Sequence, residues 1–260
     1  TKAPWVDAVF GTHNVANAAE LLKRAEIEGP IMEILEESEA FPSALPVRRD
    51  VPWAAWLTIQ IGCDNNCAFC IVPSVRGKEI SRPFGELVEE ARAIAQTGVR
   101  EITLLGQNVN SYGRDITTSL RATQTRDAFQ AGEFWANGES LRPRPLFADL
   151  LRAIGQVEGI ERVRYTSPHP KDLRPETIDA MAETAAVCEH LHLPLQSGSN
   201  RILAAMHRGY TAERYLEKLA NARARVDDLA VTTYIIVGFP GETEEDFAQT
   251  CEVAAAAEYD

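Results

Sequence analysis

From Pro52 to the last residue, strand-like and helix-like runs alternate five times, and this alternation limits the possible fold more than any other feature. Strands are predicted at 56–61, 101–105, 162–166, 190–195 and 231–237. Each is followed by apolar residues at helical spacing: Leu87, Ala91, Ile94 and Ala95; Phe147, Leu150, Leu151 and Ile154; Ile178, Met181 and Ala185; Tyr215, Leu216 and Leu219; Phe247 and Cys251. Such a rhythm predicts parallel strands joined by helical crossovers. A doubly wound sheet and a barrel both satisfy it, and in both the chemistry gathers at the carboxyl ends of the strands. With 260 residues, 45% of them apolar, the chain can fill one barrel or two smaller units.

The segments that follow the strands share a character. The first carries CDNNCAFC, the second Gly106-Gln107-Asn108, the third Ser167-Pro168-His169-Pro170, the fourth Gln196-Ser197-Gly198-Ser199, and the fifth Gly238-Phe239-Pro240-Gly241-Glu242. Any one of them could be turn chemistry. Five together predict the rim of a site.

Cys63, Cys67 and Cys70 lie in the first of these segments. Three thiols so close together can hold one 4Fe–4S cube, leaving its fourth iron open to a small molecule. A disulfide would strand one thiol. A zinc site would need a fourth ligand, with His169 or His192 as candidates. Spacing and strand context favour the cluster over zinc and leave both open. Five cysteines without a pairing pattern fit a reducing interior, hence the cytoplasm. Cys188 and Cys251 read as core residues, Cys251 one turn beyond Phe247 on an apolar helix face.

A net charge of −12 argues against holding a nucleic acid by bulk electrostatics. Arg76, Lys78 and Arg82, just past the cysteines, could touch phosphates or form local ion pairs. No apolar run approaches the length needed to span a bilayer. Ahead of the first strand, 14–25 has helical spacing with Asn14 or Thr12 as cap, and 40–52 reads as a linker, placing a domain boundary near Pro52. Residues 113–145 break the rhythm with a polar excursion lacking clear periodicity, apart from a short helix around 125–130. Both ends of the chain read as cut from something longer. His190 and His192 share one strand face and read as satisfied interior histidines; His169, between two prolines on the rim, has room for a positional or substrate role.

Cys-x3-Cys-x2-Cys with Phe69 before the last cysteine resembles the signature of radical S-adenosylmethionine enzymes. FCIVPSVRGKEISRP, LLGQNVNSYG, RYTSPHP, LHLPLQSGSNRILAAMHRGYT and VGFPGET, in that order, resemble the methylthiotransferases among them. LLGQNVNSYG favours the tRNA branch over the ribosomal-protein branch.

The resemblance implies an α/β fold: a partial, TIM-like (β/α)6 barrel over 53–260, with the 113–145 insertion, ending before its last strand. Residues 1–52 would be the tail of an amino-terminal α/β domain plus linker. It implies a 4Fe–4S cluster on Cys63, Cys67 and Cys70 that binds S-adenosylmethionine. Phe69 would lie beside the adenine, and Gly106 and Gln107 at the methionine amino group. Gln196 and Ser197 would reach the ribose or carboxylate, and Arg208 would pair with the methionine carboxylate. Gly238 and the Gly241-Glu242 turn would let backbone approach the adenine.

The implied reaction adds a methylthio group to C2 of isopentenylated adenosine beside the anticodon, with tRNA as partner and flavodoxin or ferredoxin as electron donor. A ribosomal-protein aspartate or threonylcarbamoyl adenosine is an alternative acceptor; a zinc-stabilised nucleic-acid-binding protein is the alternative from another class. Family members hold a second cluster on three earlier cysteines and carry a carboxy-terminal tRNA-binding module. No cysteine precedes Cys63 here, so the expectation is the radical half of the reaction at most.

Overall fold

The computed structural model describes residues 5–34, 49, 51–123 and 145–260. The linker expected over 40–52 and the short helix expected around 125–130 lie almost wholly outside them. At the amino end, β1 (Ala8–Phe10) and β2 (Ile31–Glu33) pair in parallel across α1 (Ala18–Glu28). The helix starts later than its apolar spacing predicts. Asn14 is buried with its Nδ2 donating to Glu33 (3.1 Å), so it ties a 3-10 turn to β2 and does not cap α1.

The main sheet starts with β3 (Ala54–Thr58). β4 (Gln60–Ile61), α2 (Val72–Arg76) and β5 (Ile80–Ser81) follow, then α3 (Phe84–Gln96), β6 (Glu101–Leu105), α4 (Arg114–Thr123) and α5 (Phe147–Gly155). The chain continues through β7 (Arg162–Tyr165), α6 (Pro175–Glu183), β8 (His190–His192), α7 (Asn200–Ala205), α8 (Ala212–Arg225), β9 (Ala230–Thr232) and α9 (Glu244–Ala257). β6 lies between β3 and β7, and β8 pairs with β9, all in parallel. A parallel bridge between Val163 and Val187, with Cys188 N–H donating to the Val163 carbonyl (3.1 Å), joins the two groups. The spatial order therefore follows the sequence order. That is barrel topology; a doubly wound sheet reverses direction at its midpoint.

Alternation sorts the strand residues onto two faces. Ala55, Leu57, Ile102, Leu104, Val163, Leu191 and Val231 are buried in the core. α5 packs between α3 and α6, which is why Phe147, Ala148, Leu150, Leu151, Ala153 and Ile154 are all buried. The opposite face carries Trp56, Thr103 and Arg164, which are in register across β3, β6 and β7. It remains open to solvent, with Trp56 60% exposed.

Three expectations are corrected. The first strand splits: Ile59 still donates to the Leu105 carbonyl (2.9 Å), but Gln60 and Ile61 turn off to pair antiparallel with Ser81 and Ile80. The start of the 113–145 excursion is a helix, α4. Its first turn is held from outside, Arg114 pairing with Asp172 (2.6 Å) and Asp115 accepting the Ser81 N–H (2.9 Å). Cys251 and Phe247 are exposed, and Cys188 is half-buried. α9 buries Asp246, Thr250 and Ala257 instead, because the loop after β8 is bonded to that polar face.

Candidate functional site

β4 and β5 close residues 62–79 into a loop beyond the carboxyl end of β3, and all three neighbouring cysteines lie in it. The loop begins at Gly62 with φ of +75°, where a Cβ would stand 1.9 Å from the Lys78 carbonyl oxygen. Only glycine fits there. Cys63 N–H then donates to the Gly77 carbonyl (3.2 Å), and Glu79 N–H to the Asp64 carboxylate (3.0 Å). From across the fold, Ala68 N–H donates to the Met206 carbonyl (3.1 Å), His207 Nδ1 lies 3.2 Å from the Asn66 carbonyl, and Lys171 binds Asn65. The loop is thus fastened to the end of α7 and to the rim after β7.

All three thiols are free: Cys63 is buried, Cys67 half-buried and Cys70 exposed. Burial pushes the Cys63 thiol up. The Asn65 backbone N–H pulls it down, and the nearby Glu79 carboxylate raises it again. Glu79 is itself buried and held at about pH 7, mainly by desolvation, against the Ser111 hydroxyl that donates to it (2.5 Å). A coordinated metal reverses this logic, because its charge deprotonates a ligating thiol outright. An all-sulfur donor set in one loop fits an iron–sulfur cluster. Cubane ligands bind separate irons and need not converge on one point. Among the described residues no group of three His, Cys, Asp or Glu side chains is set to grip a single ion. His192 Nδ1, one of the two histidines considered as a fourth zinc ligand, is engaged by the Thr232 hydroxyl (2.9 Å).

Beside the loop, the open face of the sheet forms a cleft of about 940 Å³. Trp56, Thr103, Gln107, Arg164, His169, His190, His192, Gln196, Arg208 and Tyr234 are among its lining residues. Arg208 links cleft to loop. It is 6% exposed, and its Nη1 lies 3.3 Å from Cys67 Sγ. Gln107 lines the cleft with Oε1 buried and unbonded. Gln196, at φ of +68°, bridges to Ile235 through its backbone, which leaves its side chain at the cleft.

Other residues expected at the site do not line this cleft. A Cβ on Gly106 would meet Gln60 at 2.7 Å, so its bareness serves packing. Ser197 is fully buried; its Oγ lies 3.3 Å from Thr250 Oγ1 and accepts the Ser199 N–H (3.2 Å), so it does not line the cleft. Phe69 (44% exposed) and Gly238 (φ of +78°, open around its Cβ position) also fall outside the lining. Glu242 accepts from the Gly238 and Phe239 N–H groups, which closes that turn internally. Arg82 is a buried partner of Glu90 (2.5 Å), with no surface left for a phosphate.

Sequence reading placed His190 and His192 in the interior, but both line the cleft half-buried, sharing the Thr232 hydroxyl (3.1 and 2.9 Å). Trp56 and Tyr234 were missed as cleft residues. Register was the available signal, since Trp56 alternates with the core residues Ala55 and Leu57.

A consecutive parallel β/α sheet, with a three-cysteine loop after its first strand and a polar cleft on its inner face, defines the class. Residues 57–254 match the model of the Radical SAM superfamily, and the chain belongs to it. S-Adenosylmethionine and a 4Fe–4S cluster come with that membership. The chain is 51% identical over 259 residues to a tRNA-2-methylthio-N(6)-dimethylallyladenosine synthase of Mycobacteroides abscessus, covering 99% of this chain and 47% of that protein. It is 50% identical over 260 residues to the protein of the same name from Streptomyces avermitilis, 46% of which it covers. The chain thus spans about half the length of these relatives. Among solved structures, the radical S-adenosylmethionine methyltransferase TsrM of Kitasatospora setae aligns with 80% of this chain and 35% of its own, at TM-score 0.53 and 17% identity. The S-adenosylmethionine radical enzyme OxsB aligns with 77% of this chain and 26% of its own, at TM-score 0.51 and 14% identity. These likenesses concern the fold. Among the described residues no helix is long and apolar enough to cross a membrane.

Proposed function

We propose that this chain carries the radical chemistry of a tRNA methylthiotransferase that acts at C2 of an isopentenylated adenosine. The observation that carries the reading is the loop 62–79: three free thiols, joined through the Arg208–Cys67 contact to a cleft large enough for a nucleoside cofactor. About 50% identity over nearly the whole chain to tRNA-2-methylthio-N(6)-dimethylallyladenosine synthases supports this choice of substrate. No observation favours a ribosomal-protein aspartate, threonylcarbamoyl adenosine or a zinc-stabilised binding module.

In this reading Cys63, Cys67 and Cys70 hold the 4Fe–4S cluster, which when bound supplies the electron that cleaves S-adenosylmethionine. The protein's own groups orient and shield. Arg208 sets a buried positive charge beside Cys67 and faces a carboxylate of the ligand; Gln107 offers a free acceptor to an ammonium group, and Gln196 lies at the same cleft. Trp56 and Tyr234 give flat apolar surface on the inner face for a base or a prenyl chain. Phe69 and Gly238 come to a nucleoside only by extending it past the cleft described. The parent enzyme would work on tRNA in the cytoplasm and take its electron from a flavodoxin or ferredoxin.

Anaerobic reconstitution with iron and sulfide tests this. The chain is expected to take up about four irons, and to release 5′-deoxyadenosine from S-adenosylmethionine under a strong reductant. Cys67→Ala should abolish both. Zinc uptake in place of iron, or full iron retention by the variant, would sink the reading.

A further inference from the structure

Two buried polar side chains line the cleft, Arg208 and His169, and the imidazole has a nitrogen without a partner. Arg208 is 6% exposed, and among the described residues it has no carboxylate partner; Tyr210 Oη and Cys67 Sγ, each at 3.3 Å, are its contacts. His169 is 7% exposed, and its Nε2 is buried with no partner in the protein. A buried donor without an acceptor costs free energy that a ligand can recover, and the Arg208 charge lies near enough to His169 to act on it.

The imidazole is rigidly presented. Lys171 N–H donates to His169 Nδ1 (3.1 Å), which fixes the neutral tautomer with its hydrogen on Nε2. Asn110 clamps the backbone, accepting the His169 N–H (2.9 Å) and donating to its carbonyl (3.0 Å). The Tyr210 ring packs edge-on against the imidazole at 5.8 Å. Burial, helped by the Arg208 charge, lowers the His169 pKa to about 3, which favours the neutral ring. Its partners therefore prepare His169 to give one hydrogen bond in one direction.

We propose that His169 Nε2–H and the Arg208 guanidinium together seat one oxyanion of the cleft ligand, a carboxylate or a phosphate, with His169 setting its orientation. Assigning the carboxylate to S-adenosylmethionine rests on the proposed function; the two-donor seat rests on the shared cleft and on the Tyr210 ring that both side chains pack against. A neutral donor beside a cation suits an oxygen that must be held in one plane. A second cation in place of His169 would bind the same charge with less directional control.

Calorimetric titration of the anaerobically reconstituted chain tests it, with S-adenosylmethionine, decarboxylated S-adenosylmethionine and inorganic phosphate as probes. His169→Phe keeps the ring and loses the donor; His169→Gln keeps an N–H. The expected result is about tenfold weaker binding of the carboxylate form in His169→Phe, little change for the decarboxylated form, and partial recovery in His169→Gln. Loss on phosphate alone would assign the seat to a phosphate. Unchanged binding of both oxyanions, or equal loss on the decarboxylated nucleoside, would overturn the proposal and leave His169 a packing residue. If wild-type protein bound no S-adenosylmethionine, the proposed function would fall, and the phosphate titration would decide His169 alone.

Discussion

Gly62 and Glu79, at the two ends of the cysteine loop, govern its shape and its response to pH. Gly62 is confined by the Lys78 carbonyl oxygen 1.9 Å from its missing Cβ and by a φ of +75°. Gly62→Ala must move backbone against backbone, at a cost of more than about 1 kcal/mol. It should lower both the melting temperature and the iron bound on reconstitution; iron uptake at wild-type level would show that the loop tolerates reshaping. Glu79 acts through pH. Its carboxyl, held at about 7 in the fold by desolvation, ionises near 4.3 when the chain unfolds. Between those values the folded state binds more protons, so stability falls as pH rises from about 4 to about 7 and then levels off, by roughly 3 kcal/mol in total. Glu79→Gln should flatten that part of a pH series of thermal melts. An unchanged slope would mean that other groups set it.

At the scale of elements, helix and strand runs could be read from the sequence wherever the burial pattern was local. α3 shows this: Phe84, Leu87, Ala91 and Ile94 recur at helical spacing and are all buried. Partners distant in the sequence were hidden. α9 seats a polar face because Gly198 N–H donates to Thr250 Oγ1 (2.9 Å) and Ser199 Oγ to Asp246 (2.6 Å), and no spacing of apolar residues predicts that. The same holds for the site. The three cysteines were legible because they are contiguous, and Arg208 was placed at the cleft by resemblance. The contact of Arg208 with Cys67, by contrast, depends on α7 returning over the first loop. One glycine tests how closely the elements fit. A Cβ on Gly198 would lie 2.5 Å from the Gln249 carbonyl oxygen and 2.6 Å from Thr250 Cα. Gly198→Ala should therefore lift α9 from the loop and cost about 1–3 kcal/mol, read as a lower denaturant midpoint. A midpoint like that of wild type would show that the helix can slide at little cost.

The whole molecule combines a nucleoside-sized cleft with a charge that repels nucleic acid. Its formal net charge is −12, and much of its positive charge is already neutralised locally. Arg82 is paired with Glu90, Arg92 with Glu89, Arg100 with Glu161, Arg114 with Asp172, Arg162 with Glu101, Arg201 with Asp246, and Arg225 with Asp179 and Glu183. Lys218 is occupied by the Pro170 and Lys171 carbonyls (2.7 and 3.0 Å). An arginine already bound to a carboxylate gains little by exchanging it for a phosphate, so few counterions can be released when RNA approaches. Each phosphate neutralised contributes about 0.9 to the slope of log affinity against log salt. This chain should therefore bind an anticodon stem-loop no tighter than about 10 μM at physiological salt, with a slope shallower than about −3. Small-molecule binding in the cleft, being short-ranged and buried, should hardly change over the same salt range. Filter binding across a salt series separates the two behaviours. A slope near −6 would mean that the paired arginines rearrange to form an RNA-binding surface, and that the ion pairs of the free chain are a resting arrangement.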